Sequence, residues 1–189
     1  MIKTLLKQVG EYKTSSLLTP VFTGLEVLME VLIPFITAAI IDQGIEAGNI
    51  QKVYLYGGIM LAAAFFSLAF GALAGRYAAK ASSGLACNLR ESMYENIQTF
   101  SFSNIDKFST AGLVTRMTTD VTNLQNAYQM ILRIAVRSPL MLICSMVMCF
   151  FISARLSCIF LAAIFILGIL LILIMTSATK IFNMVFRKY

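Results

Sequence analysis

The stretch SFSNIDKFSTAGLVTRMTTDVTNLQN, residues 101–126, is a polar interval between two mostly apolar halves of the chain. Ser103 and Asp106 have the Ser-x-x-Asp spacing of a helix start, in which both side chains accept hydrogen bonds from free backbone N–H groups. Residues 109–112 then break this short helix, and an apolar stripe with a 3.6-residue repeat begins at Leu113. The order predicts a helix end, a short transverse helix and a new long helix, so two long helices meet at a small helical tip.

The composition is that of an all-α polytopic membrane protein. Hydrophobic residues make up 59% of the chain, the mean hydropathy is +0.82, and Trp and His are absent. The net charge of +6 does not predict a nucleic-acid partner, because the Lys and Arg residues are spread along membrane-flanking segments. The four Cys residues form no C-x-x-C motif, and without His there is no zinc pattern, so no metal site is predicted.

Four apolar runs predict membrane spans over residues 17–41, 53–77, 134–152 and 156–176. The second run keeps helical character to about residue 100, and a helix of that length is about 70 Å long, more than twice the hydrocarbon thickness. Residues 78–133 therefore form an extension outside the bilayer with the short helix at its tip. Residues 1–14 are basic and amphipathic, which predicts an interfacial helix at the membrane surface.

The distribution of positive charge predicts that both termini are cytoplasmic. Seven Lys or Arg residues lie between residues 76 and 137, and three more lie before residue 14, whereas the two opposite loops hold only Lys52 and Arg155. Short loops rich in Lys and Arg stay on the cytoplasmic side.

The run FSFSNIDKFSTAGLVTRMTTDV, residues 100–121, resembles the first intracellular loop of type I ABC exporters, with an aliphatic residue where that family often has an aromatic one. The matching positions are Phe102, Ile105, Asp106, Phe108, Gly112, Leu113, Arg116 and Asp120. Residues 25–45, LEVLMEVLIPFITAAIIDQGI, are similar to the first membrane helix of the multidrug-type branch.

The resemblance implies four of the six helices of an ABC transporter type-1 domain, in a permease of the plasma membrane that exports amphipathic, drug-like or lipid substrates. It implies a second subunit, as a homodimer or heterodimer, and a nucleotide-binding domain that holds ATP and Mg. It also implies a coupling helix at Asn104, Ile105, Asp106, Lys107 and Phe108, and a structural joint at Arg116 and Asp120. From spacing alone, that last pair reads equally well as a solvated helix face.

The sequence contains no G-x-x-x-x-G-K-[ST] loop, so this chain has no predicted cofactor of its own, and ATP hydrolysis is expected on a separate domain. The chain therefore resembles the front part of a transporter subunit, from a truncated gene, a split gene or an incomplete record. Two alternatives stay open: a truncated membrane scaffold or regulator, and a proton-coupled secondary transporter that uses Glu26 and Glu30.

Glu26 and Glu30 are one helical turn apart in the first span, where a carboxyl group is costly and normally faces protein or a water-filled cavity. Pro34 removes the N–H that would bond the carbonyl of Glu30. Together these three residues are candidates to line a path for a cationic substrate or for protons. The alternative is a structural hydrogen bond between the acids and Arg133 or Arg137.

Overall fold

The computed structural model describes residues 8–100 and 109–186, with side chains as far as residue 179. Four long helices account for most of this part of the chain: α1, Gly10–Ile45; α2, Ile50–Gln98; α3, Thr110–Ile152; and α4, Ala154–Phe186. No strand occurs among the described residues. All four helices are long and apolar enough to cross a membrane. The expected all-α architecture with four long apolar helices is confirmed.

Helices α1 and α2 pack against each other in antiparallel directions. The Phe22 and Tyr77 rings stack with centroids 5.4 Å apart near one end. Near the other end, the hydroxyl of Tyr56 donates to Oε1 of Gln43 at 3.0 Å. The short connection between them is fixed by Asn49, whose side chain accepts a hydrogen bond from the backbone N–H of Lys52 and caps α2.

Helix α1 runs further than its sequence suggests. The predicted first span ends at residue 41, but Asp42, Gln43 and Gly44 continue the helix in a π-helical end, Ile40–Ile45. Gly44 allows this, because a Cβ there would lie 2.6 Å from Cγ2 of Val53 at the start of α2. Pro34 also lies inside the α-helical part, Lys13–Ala39, and does not end it.

Helix α3 begins at Thr110, three residues before its apolar stripe. The side chain of Ser109 accepts the backbone N–H of Gly112 at 3.2 Å, so Ser109 is a cap rather than part of a break. Two π-helical segments interrupt the α-helical geometry, Arg116–Asp120 and Ile131–Ala135. Pro139 explains the second, because its missing N–H and its ring disfavour a normal bond to the carbonyl of Ala135.

Small side chains form the contact surface of α2. The residues that are buried or nearly so include Ser67, Ala74, Ala78, Ala81, Ser82 and Leu85. Small residues let neighbouring helix backbones approach closely where lipid offers no hydrophobic contrast. Small residues also recur at every fourth position of α2, at 67, 71, 75, 79, 83 and 87. The last three, Ala79, Ser83 and Cys87, are exposed, because the helix repeat is 3.6 residues and a line of every fourth residue turns away from the contact surface.

The chain divides into two compact units, one up to Leu142 and the other from Ile143. The first unit contains the packed parts of α1, α2 and α3. The second contains the end of α3 and all of α4, whose side chains are largely exposed leucine, isoleucine and phenylalanine. Its apolar window has a mean hydropathy of 3.3, which suits contact with lipid tails.

The first half of the interfacial helix predicted at residues 1–14 lies outside the described residues, which begin at residue 8. The predicted coupling helix, Asn104, Ile105, Asp106, Lys107 and Phe108, lies entirely outside them.

Candidate functional site

The acidic face of α1 meets a single arginine of α3. Nη1 of Arg137 donates to Oε1 of Glu26 at 2.8 Å. Nη2 of the same residue donates to both oxygens of Glu30, at 2.6 and 2.8 Å. Of the two partners considered from sequence, Arg133 and Arg137, the structure brings Arg137 to the acids. One guanidinium thus serves two carboxylates, which leaves these three residues with a formal charge of −1.

The two kinds of charge differ in exposure. The side chain of Arg137 is 39% exposed, against 9% for Glu26 and 27% for Glu30. The carboxylates therefore lie on the inner side of the cluster, and the guanidinium forms its outer side. Pro34, the third residue predicted with this pair, is exposed on α1.

Gly71 of α2 makes room for the buried acid. A Cβ at this position would lie 2.8 Å from Oε1 and 3.0 Å from Cδ of Glu26, closer than side-chain atoms tolerate. One turn later, a Cβ at Gly75 would lie 3.7 Å from Nη1 of Arg133. The two glycines of the Gly-x-x-x-Gly motif in α2 therefore face Glu26 and Arg133.

Two polar atoms of α1 are buried without a hydrogen-bond partner in the described part of the chain, Oγ1 of Thr23 and Oε2 of Glu26. A buried acceptor without a partner is costly, on the order of 1–3 kcal/mol or more for a charged group. Glu26 is 7% exposed as a whole residue, so this cost falls on a carboxylate that has no access to bulk water through its second oxygen. Such a group is retained in a membrane helix mainly for function or for a specific pairing.

An open groove of about 390 Å³ runs along α3 beside this cluster. One face of the helix supplies its lining residues: Asn126, Gln129, Met130, Arg133, Ile134 and Arg137. They span 12 residues, or about 17 Å of helix. We call this surface the donor groove.

Further polar contacts join α2 to α3, one at the groove and two outside it. Oγ of Ser82 donates to Oε1 of Gln129 at 3.3 Å. Nearer the tip, Arg90 donates from Nε to the carbonyl of Met117 at 3.3 Å and from Nη2 to Oγ1 of Thr122 at 3.2 Å. In the sequence, Arg90 is one of the seven Lys or Arg residues between residues 76 and 137, and nothing in its spacing identifies a partner on another helix.

The predicted joint residues Arg116 and Asp120 lie at the two ends of one π-helical segment, and both side chains are exposed. Their role as a joint stays a prediction. Among the described residues, no group of three or more acidic or Cys side chains is placed to hold a metal ion.

The comparisons with known proteins show the family of this chain. The family model described as "ABC transporter transmembrane region" matches residues 17–188. The chain is 32% identical over 163 residues to a Bacillus subtilis protein named "Uncharacterized ABC transporter ATP-binding protein YfiB", a match that covers 86% of this chain and 28% of that protein.

An uncharacterized ABC transporter ATP-binding protein of Mycobacterium tuberculosis is 26% identical over 170 residues, which cover 89% of this chain and 29% of that protein. A Mycobacterium bovis protein with the same description gives the same values. The chain thus spans less than a third of the length of these curated relatives.

Proposed function

Since the chain belongs to the family of ABC transporter transmembrane regions, we propose that it is the membrane-spanning part of an ATP-driven exporter that moves amphipathic, drug-like or lipid substrates outward. It is a multi-pass membrane protein whose partner domain binds ATP. In the proposal that domain hydrolyses ATP with Mg, and two membrane parts pair as a homodimer or heterodimer.

The observation that carries the proposal is the length of α2. Its 49 residues form one helix of about 70 Å, while about 30 Å suffices to cross the hydrocarbon. In the proposal, the remainder and the first part of α3 carry the coupling helix predicted at Asn104, Ile105, Asp106, Lys107 and Phe108. A projection of this kind suits a transporter in which a cytoplasmic motor domain moves membrane helices.

The acids have a defined place in this proposal. Glu26 and Glu30 hold Arg137 at the edge of the donor groove, and Pro34 follows them one turn later on α1. We therefore keep these three residues as candidates for the substrate path, with Arg137 as the group through which the acids act on a ligand.

The proposal is tested with the full-length transporter subunit in inside-out membrane vesicles. Accumulation of a fluorescent amphipathic dye or a fluorescent phospholipid is measured with ATP and with a non-hydrolysable ATP analogue. Accumulation that needs hydrolysable ATP and persists after the proton gradient is collapsed supports the exporter. Accumulation that follows the proton gradient without ATP favours the secondary transporter considered from Glu26 and Glu30, and no accumulation under either condition favours the scaffold alternative.

A further inference from the structure

Most acidic oxygens behind the donor groove are already engaged, whereas several N–H donors in the groove are still available. Both oxygens of Glu30 and Oε1 of Glu26 accept hydrogen bonds from Arg137. Oγ of Ser82 lies 3.3 Å from Oε1 of Gln129 and 3.1 Å from the carbonyl oxygen of Ala79, so its one O–H is shared between these two acceptors. Three of the four carboxylate oxygens are therefore satisfied within the protein, the fourth, Oε2 of Glu26, is buried, and Asn126 is the groove residue that offers an exposed amide oxygen beside its own NH₂ donors.

The donors that remain come mainly from two guanidinium groups. A guanidinium carries five N–H donors, and the three hydrogen bonds from Arg137 to the acids leave others available. Arg133 lines the groove with no hydrogen bond or ion pair to any residue in the described part of the chain. Gly75 faces Arg133, and a methyl group at Gly75 would be in ordinary van der Waals contact with Nη1, at 3.7 Å.

The charges are also arranged unevenly across the cluster. Glu26, Glu30, Arg133 and Arg137 sum to zero, so no strong long-range field attracts an ion of either sign. At short range, the position of each charge decides which group a ligand meets. The guanidinium of Arg137 is more exposed than the carboxylates, which lie behind it. A ligand in the groove would meet N–H donors first.

Apolar surface lies beside these donors. Met130 is 60% exposed and Ile134 is 50% exposed, and each adjoins Arg133 or Gln129 along the same helix face. A ligand that matches both parts has an oxyanion head and a hydrocarbon tail. Planar guanidinium groups bind carboxylate and phosphate oxygens with paired, charge-assisted hydrogen bonds.

We infer that the donor groove binds an amphipath with an anionic head, a carboxylate or a phosphate, with Arg133 and Arg137 on the head and Met130 and Ile134 on the tail. This rests on the proposed export function and narrows its substrate class. It also departs from what the two acids suggested in the sequence, a cationic ligand, because Arg137 stands between the acids and the groove.

The test uses the full-length transporter in phosphatidylcholine nanodiscs and three probes that share one oleyl tail: oleate, oleyl alcohol and oleylamine. Oleate should bind about tenfold more tightly than oleyl alcohol, the effect of one charge-assisted hydrogen-bond pair, and oleylamine should bind no better than the alcohol. Equal binding of all three probes, or no binding because a second subunit covers the groove, overturns the inference.

Substitution of Arg133 supplies the residue-specific test. Arg133→Gln should remove most of the oleate preference and leave oleyl alcohol within about twofold, since only the head loses its partner. Arg133→Glu should reverse the order, so that oleylamine binds more tightly than oleate. Arg76→Gln is the matched control, because Arg76 is an exposed arginine of α2 outside the groove. An oleate preference that survives in both Arg133 variants would contradict the assignment.

If a variant elutes as aggregate in size-exclusion chromatography, Arg133→Lys replaces it. Lysine keeps the charge but cannot form the paired bonds, so part of the oleate preference should be lost; full retention would count against guanidinium recognition.

Stepwise replacement of phosphatidylcholine by phosphatidylglycerol shows whether the anionic head belongs to a phospholipid or to a free acid. Displacement of oleate by phosphatidylglycerol indicates a phospholipid, and continued binding of oleate indicates a free acid. ATP-driven dye accumulation in the same preparations tests the export proposal separately, because dye transport without any anion preference would refute this inference alone.

Discussion

Gly71 and Glu26 lie so close together that a single added carbon on the glycine would displace the acid. A Cβ at Gly71 would be 2.8 Å from Oε1 of Glu26, the oxygen that accepts from Arg137. The contact between α1 and α2 at this level is therefore set by the absence of a side chain on one helix and the presence of a buried carboxylate on the other.

Gly71→Ala should destabilise the protein by about 1–3 kcal/mol, because the added methyl group would push the buried carboxylate of Glu26 away from Arg137. The measurement is the apparent Tm of a fluorescent-protein fusion, followed by size-exclusion chromatography after heating. Gly57→Ala in the same helix is the control, since nothing lies within 4 Å of its Cβ position and alanine favours helix. Equal effects of the two substitutions would show that the close approach to Glu26 does not exist.

The ion pairs between Arg137 and the two acids should behave as one coupled unit. Arg137→Gln should cost about 1.5–3 kcal/mol, because it leaves two neighbouring carboxylates without their shared donor. Glu30→Gln should cost less, since Glu26 keeps its partner. In a double-mutant cycle, the cost of the two substitutions combined should fall well below the sum of the single costs. Strict additivity of the Tm shifts would mean that Arg137 and Glu30 do not interact.

Orientation is tested with Ala47→Cys and Ala111→Cys in a background that lacks Cys87, Cys144, Cys149 and Cys158. Both alanines are exposed, one in the loop between α1 and α2 and one at the start of α3. With cytoplasmic termini, an impermeant thiol reagent added to intact cells should label position 47, while position 111 should react only after permeabilisation. The reverse pattern would refute the orientation derived from Lys and Arg.

Phe108→Ala tests the proposed coupling helix in the full-length transporter. If Phe108 is a buried anchor on the nucleotide-binding domain, truncation should cost about 2 kcal/mol of docking free energy. Substrate transport should then fall while ATP hydrolysis persists or loses its stimulation by substrate. Lys107→Ala serves as the neighbouring control. Loss of folded protein together with both activities would instead mean that Phe108 only packs within its own chain.

The helices were predictable because long apolar runs leave few alternatives in a chain of this composition. The partner of Glu26 and Glu30 was not. Arg133 and Arg137 are four residues apart on one face of α3, so periodicity alone cannot separate them. The π-helical segment Ile131–Ala135 shifts the register between the two arginines, and a fixed 3.6-residue repeat does not anticipate that shift.

Helix ends were also hard to place from local signals. Asp42, Gln43 and Gly44 have the composition of a closing turn, yet close packing of Gly44 against Val53 keeps them helical. The contact is made by a residue of the next helix, which local propensity does not register. The same reason explains Arg90, whose partners Met117 and Thr122 follow it by 27 and 32 positions.

The different construction of α2 and α3 has a mechanical consequence. Helix α2 is α-helical from Ile50 to Gln98, whereas α3 contains two π-helical segments, Arg116–Asp120 and Ile131–Ala135. A stiff rod of about 70 Å acts as a lever: a tilt of about 5° moves its far end by about 6 Å. Helix α3 has two π-helical segments, and helices commonly kink at such segments. We therefore expect α2 to carry displacement over distance and α3 to bend where the two helices move against each other.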